Sequence, residues 1–274
     1  MGDDYDVPDR NGMPGLGLGT WQNDDLEECE ESVRTALETG YRHVDTAQAY
    51  GNEAGVGRGI AAADVDRDEV FLATKLWIDN LGYEDVLEST AESLDRLGTE
   101  YLDLLYVHWP SGEYDPEETL PALEELREDG LIERIGVSNF EPSHIERAQE
   151  VLDAPIFANQ IEIHPLLQQR RLREFCAEQG IEVVAYSPLA RGRVFEIETI
   201  SEIADERGVS EAQVSLAWLR ANGLTAIPKA TGGDHIRDNW ASLGVELSDA
   251  EIERIDAIDE RRRFVDPGFG PDAW

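Results

Sequence analysis

The sequence predicts a closed (β/α)8 TIM barrel, and three observations carry that prediction. Short β-branched runs alternate with amphipathic helical patterns along nearly the whole chain. No Pro-, Gly- or Ser-rich boundary interrupts the series, and 274 residues is an ordinary length for one barrel domain. A single domain over residues 1–274 is therefore expected. An open doubly wound sheet is the competing arrangement, and it normally carries a GxGxxG turn directly after a strand. Gly57 to Ala62 fit GxGxxA only inside a helical pattern, and Gly15, Gly17 and Gly19 are wrongly spaced, so both groups read as packing glycines.

The elements follow in order. Asn11-Gly12 is a hairpin turn signal and predicts a hairpin closing the barrel floor. Strand runs lie at residues 42–45, 70–75, 102–108, 134–138, 156–162, 181–187 and 224–229. The remaining strand is expected near Arg193 to Phe195. Between the runs, Val86, Leu87, Ala91, Leu94 and Leu97 form one apolar helical stripe, and Ser210 is placed to cap a helix over residues 210–222. The last segment, residues 261–274, reads as a loop laid over the barrel mouth, because it mixes Gly and Pro with aromatics.

Composition narrows the function classes. The chain has 59 acidic and 23 basic residues, a formal charge of −36. A surface so negative repels nucleic acid and anionic lipid alike. No apolar run is long enough to span a membrane, and the acidic N-terminus does not resemble a leader, so a cytoplasmic protein is expected. The acid excess is of the kind found in halophiles. Molar salt shortens the screening length to about 3 Å, so activity and melting temperature should climb with added KCl up to molar levels. Cys29 and Cys176 lie in no metal-ligand spacing and are read as reduced and structural. Only Lys75 and Lys229 are lysines; lysine, unlike arginine, offers a compact charge with a readily shifted pKa.

Barrel chemistry gathers at the C-terminal ends of the strands. The polar residues there are Asp45 with Tyr50 close behind, Lys75, His108, Ser138 and Asn139, Gln160, Tyr186 and Ser187, and Lys229. An ammonium beside a phenol favours the phenolate, so Lys75 is expected to lower the pKa of Tyr50 and make it a proton donor. His108 is placed to hold and polarise a carbonyl oxygen. The plainer reading is that Asp45 and Lys75 form a buried ion pair that only locks two strands.

Seven segments then carry a resemblance: residues 40–57 (GYRHVDTAQAYGNEAGVG), 74–77 (TKLW), 104–110 (LLYVHWP), 136–140 (GVSNF), 159–165 (NQIEIHP), 185–189 (AYSPL) and 227–231 (IPKAT). In order and spacing the chain resembles the aldo-keto reductase family, in particular its aldehyde reductase-like and 2,5-diketo-gluconate reductase-like members. The resemblance implies reduction of aldehydes or ketones with NADP(H) or NAD(H). It implies Tyr50 as general acid, Asp45 and Lys75 as its tuning pair, and His108 as the group that orients the carbonyl. It assigns Ser138, Asn139 and Gln160 to the nicotinamide carboxamide and Tyr186 to the face of its ring. Thr20, Trp21, Ser187 and Leu189 fall along the rest of the cofactor path, and Trp21, Trp77 and Trp109, beside His108, on the substrate side. Phe264, Phe269 and Trp274 are expected to complete that pocket, although ordinary packing explains a tryptophan equally well.

Lys229 corresponds to the clamp on the adenosine 2′-phosphate. Here the chain departs from the family pattern, with Ala230 where Ser is usual and His235 where Arg is usual. Thr231, Asn239 and a shifted Arg237 remain as contacts, so NADP(H) is favoured while NAD(H) or dual use stays open. A small carbonyl substrate and a monomer are expected. Competing readings are a Schiff-base enzyme on Lys75, a metal site of His43, Asp45 and His108, and a regulatory protein that binds cofactor with little turnover.

Overall fold

A computed structural model describes residues 5–271. Its first two strands, β1 (Asp9–Arg10) and β2 (Met13–Pro14), form the antiparallel hairpin turned at Asn11-Gly12. Eight parallel strands follow in strict chain order: β3 (Leu18–Gly19), β4 (His43–Asp45), β5 (Phe71–Leu76), β6 (Leu104–Val107), β7 (Ile135–Ser138), β8 (Ile156–Glu162), β9 (Glu182–Tyr186) and β10 (Thr225–Ala226). An open doubly wound sheet reverses its strand order at a switch point; this sheet does not. Backbone bonds from Gly17 N to Ala226 O (2.9 Å), Ala226 N to Gly15 O (3.1 Å) and Gly19 N to Pro228 O (3.1 Å) join the first strand to the last and close the barrel.

The structure corrects the placement of one strand. Residues 193–195 belong to a 3-10 segment, Ala190–Glu196, interrupted by left-handed backbone at Arg191 and Gly192. The remaining strand is instead β3, at the start of the chain. Its neighbours explain the glycines there: a Cβ on Gly19 would lie 2.6 Å from the carbonyl oxygen of Ile227, and one on Gly17 would lie 2.7 Å from the His43 ring. The packing role expected for Gly57 and Gly59 also holds. They lie on α2 (Glu53–Ala62), where a Cβ would meet Leu97 O at 2.3 Å and Val33 Cβ at 2.6 Å respectively.

Side chains alternate along each strand. One set fills the barrel and the other packs beneath the helices. Inside, Met13 of the hairpin joins Phe71, Leu104, Tyr106, Val184 and Ile227, so the floor is plugged by apolar packing. Outside, α1 (Leu26–Thr39), α3 (Tyr83–Leu97), α4 (Pro116–Glu128), α5 (Pro142–Val151) and α6 (Arg170–Glu178) cover successive strands, followed by α7 (Glu198–Arg207), α8 (Glu211–Ala221), α9 (Gly233–Ala241) and α10 (Asp249–Asp256). The expected helix over residues 83–97 is α3, and Ser210 caps α8 by accepting from Gln213 N at 3.1 Å. No described helix is long and apolar enough to cross a membrane.

Candidate active site

With the floor sealed, the strand ends at the other face surround a cleft of about 740 Å3. Lys75 lies at its base and is 0% exposed. Its ammonium donates to Asp45 Oδ1 at 2.5 Å, to Thr46 O at 2.8 Å and to the Tyr50 hydroxyl at 3.3 Å, which uses all three protons. The other Asp45 oxygen accepts from Gln160 Nε2 at 2.8 Å. Tyr50 is carried by the 3-10 turn Gln48–Tyr50 that follows β4, and its ring stands edge-on to His108 with centroids 5.9 Å apart. Three residues from three strand ends, Asp45, Lys75 and His108, are thus brought together around the Tyr50 phenol.

The expected downward shift of the Tyr50 pKa is not what the structure gives. Burial, and then the Asp45 carboxylate, push the phenol well above its usual value. Desolvation outweighs the ammonium because Asp45 already neutralises that charge at contact distance. Tyr50 is therefore protonated at any working pH, the form an acid needs. Burial holds His108 well below the usual histidine range, with Lys75 adding to the shift, so the imidazole is neutral. Its Nδ1 is buried without a hydrogen-bond partner among the described residues. Burial also lowers Lys75, against the pull of Asp45.

A second group of polar side chains lies beside this one. Asn139 Nδ2 donates to His108 O at 3.0 Å and to Ser138 Oγ at 3.1 Å, while Ser138 Oγ donates to Gln160 O at 2.9 Å. The Tyr186 hydroxyl donates to Asn139 Oδ1 at 2.8 Å. Asn139 (φ 63°) and Ser187 (φ 49°) have left-handed backbone just past their strands, a cost that clusters at functional sites. Asn139, Gln160, Tyr186, Ser187 and Leu189 line the cleft, as do Thr20, Trp21 and Lys229, whereas Ser138 is buried behind them. Thr231, His235 and Asn239 are not among its walls; His235 is exposed on α9 and Asn239 is buried there. Arg237, also exposed, pairs with Asp234 at 3.3 Å.

The end of the cleft beside His108 is aromatic. Trp77 and Trp109 stand against Phe269, with centroids 5.8 and 5.6 Å apart, and Trp77 lies 5.4 Å from His108. The C-terminal segment does cross the mouth, through Val265, Pro267 and Phe269. Phe264 does not reach the cleft and packs on His164 instead, at 5.2 Å; Trp274 lies outside the described residues. Sequence reasoning missed Arg191, whose guanidinium lies 4.3 Å over the Trp21 ring. It also missed Gln48, which accepts from Trp77 N at 2.9 Å and fixes that wall. Gln48 sits midway between Asp45 and Tyr50, and Arg191 lies five residues past Tyr186 at the end of β9, the same offset that Tyr50 has from Asp45; both positions were usable signals.

Two competing readings lose their footing here. With its three protons engaged and no exposure, Lys75 is not free to attack a carbonyl. The metal trio is not assembled, since Asp45 is taken by Lys75 and Gln160 while His43 lies against Pro14 O (3.2 Å) and the Phe71 ring.

Comparison with known proteins agrees with this geometry. The profile of the Aldo/keto reductase family matches residues 15–260. The chain is 41% identical over 260 residues to the glyoxal reductase of Bacillus subtilis (strain 168), covering 95% of this chain and 93% of that protein. A crystal structure provisionally named 2,5-diketo-D-gluconic acid reductase B superposes with a TM-score of 0.92 at 35% identity, over 98% of this chain and 97% of that one. The Bombyx mori aldo-keto reductase AKR2E4, solved in complex with NADP, gives a TM-score of 0.88 at 33% identity, over 95% and 94%. The chain belongs to the aldo/keto reductase family, whose enzymes reduce carbonyl compounds with nicotinamide cofactors.

Proposed function

We propose that this oxidoreductase reduces small neutral aldehydes and ketones to alcohols, with Tyr50 as the proton donor. The observation that carries the reading is the Tyr50–Lys75–Asp45 chain, with Lys75 and Asp45 buried and the partly buried Tyr50 facing a neutral His108 at the base of an aromatic cleft. A reduced nicotinamide, when bound, supplies the hydride. The residues of this chain do the rest. His108 holds the carbonyl oxygen beside the Tyr50 hydroxyl, and as that oxygen gains charge Tyr50 releases its proton to it. The phenolate left behind sits 3.3 Å from the Lys75 ammonium, which Asp45 keeps charged and in place.

The polar walls fit a nicotinamide. Asn139 keeps one acceptor lone pair on Oδ1, Gln160 presents an amide that can match a carboxamide, Ser138 backs them, and Tyr186 offers a flat face. Lys229, exposed at the rim, suits a 2′-phosphate, and we favour NADPH over NADH on that residue. His235, Thr231 and Asn239 are secondary contacts in this reading. The substrate end, near Tyr50 and His108, is walled by Trp21, Trp77, Trp109 and Phe269, which suits an uncharged carbonyl compound. One domain, a monomer, and a high-salt cytoplasm complete the proposal; the buried cysteines, with thiols pushed up to about 12 (Cys29) and about 11 (Cys176) by desolvation, suit a reducing compartment.

The test is turnover of a small aldehyde panel at high KCl, with titration of NADPH and NADH, in the wild type and in Tyr50→Phe. Loss of a general acid costs about 10^2 to 10^4 in rate. We expect kcat to fall by that factor in the variant with cofactor affinity unchanged. Cofactor binding without turnover in the wild type would favour the regulatory reading.

A further inference from the structure

Glu162 is the last residue of β8, two positions beyond Gln160, and the chemistry above makes no use of it. Its carboxylate is fully buried at the barrel mouth. Burying a charge in this way costs several kcal/mol unless donors replace the lost water. The donors come from the C-terminal segment: Phe264 N donates to Oε1 at 2.8 Å and Val265 N to Oε2 at 3.0 Å. His164 Nε2 lies 2.9 Å from Oε1, and Arg263 is 3.9 Å from Oε2. Each carboxylate oxygen thus takes one main-chain N–H from a stretch that is neither helix nor strand. Four residues past Val265, Phe269 stands edge-on to both Trp77 and Trp109 and closes the substrate end of the cleft.

We propose that Glu162 is a positioning residue for substrate selection: its carboxylate latches residues 264 and 265 to the mouth and thereby sets Phe269 against the two tryptophans. The inference rests on the carbonyl-reducing reading of the cleft and deepens it. A substrate large enough to reach Phe269 depends on the latch. A two-carbon aldehyde, held at Tyr50 and His108 alone, does not. Glu162 touches neither group, so the latch acts on substrate binding and leaves the proton transfer as it was.

The test compares an aromatic aldehyde with a two-carbon aldehyde in full-length wild type, Glu162→Gln, Phe269→Ala and the double variant. Glutamine keeps the size of the side chain, and loses the charge and one acceptor. In Glu162→Gln we expect KM for the aromatic aldehyde to rise roughly tenfold while kcat, NADPH affinity and KM for the small aldehyde stay within about twofold. The double variant should be no worse than Phe269→Ala, because both changes remove one contact. Hydrogen exchange at the amides of Phe264 and Val265 should accelerate in Glu162→Gln, and this readout needs no turnover. If the wild type reduces no aldehyde, the functional reading fails while the exchange rates still decide the latch. Unchanged exchange, or an equal loss on both aldehydes, overturns it. Should Glu162→Gln not fold, Phe264→Pro removes one of the two donors at a residue that does not line the cleft, leaves the carboxylate in place, and is expected to give the same split between substrates.

Discussion

The two lysines of this chain occupy opposite ends of the same cleft and live by different rules. Lys75 is sealed at the base, its three protons spent on Asp45, Thr46 and Tyr50. Lys229 stands at the rim, exposed to water. At the base a charge is tolerable only with a partner in contact, because the desolvation cost is paid whether or not anything is bound. At the rim a charge costs little and gains little until an anion arrives. The comparison explains why a chain whose other 21 basic residues are all arginine has lysine at these two positions. A compact ammonium fits among three acceptors at the base, where a planar guanidinium does not. At the rim, in the reading proposed above, it stands where a single phosphate would meet it.

The largest effect expected from breaking this contrast is at the base. Lys75→Met leaves the Asp45 carboxylate buried and unpaired, and should destabilise the fold by about 3 to 5 kcal/mol, read from the midpoint of chemical denaturation. Replacing both partners, as in Asp45→Asn with Lys75→Met, should recover much of that loss without recovering activity. If the single variant is as stable as the wild type, the pair is not a charged pair. The rim should respond in the reverse manner. Lys229→Ala should leave the denaturation midpoint unchanged while weakening NADPH binding by roughly tenfold, with NADH affinity changed by less than about twofold. Equal losses for both cofactors would remove Lys229 from the 2′-phosphate.

What the sequence made legible divides along similar lines. The base was readable because strand period and βα alternation bring strand ends to one face: Lys75 and His108 close apolar runs, Asp45 closes the short run Arg42-His43-Val44, and a titratable residue at such an end stands out. The first barrel strand was not readable. Leu18–Gly19 is two residues long and set among glycines, which lower strand propensity. Those glycines are there because the closing strands approach too closely for a Cβ, a fact of tertiary packing. Arg193 to Phe195 misled for the opposite reason, carrying strand-like residues into a segment whose backbone turns left-handed at Arg191. The hold of Glu162 on residues 264 and 265 spans about a hundred positions, beyond any local pattern. The sign of the Tyr50 shift was missed because it depends on how dry the site is, which residue types alone do not reveal.

The smallest effect sharpens the rule for the base by moving from charge to protonation. Burial depresses the His108 pKa well below 6.5, with Lys75 adding to it, so between the folded and unfolded values the unfolded chain binds a proton that the folded chain refuses. Stability from this group is fully present above about pH 6.5 and is lost as the pH falls below it, by roughly 1.4 kcal/mol for each further unit until the folded pKa is reached. His43, lowered by burial as well, adds to the same slope. Denaturation at pH 7.5 and pH 5.5 should therefore show a drop in stability that is smaller in His108→Gln than in the wild type by about that amount, with carboxylates contributing equally to both. A neutral His108 predicts in addition that kcat does not change through pH 6.5, since the imidazole has no proton to gain there. An identical acid slope in the variant, or an inflection in kcat near 6.5, means that water reaches His108 and that the base of the cleft is as wet as its rim.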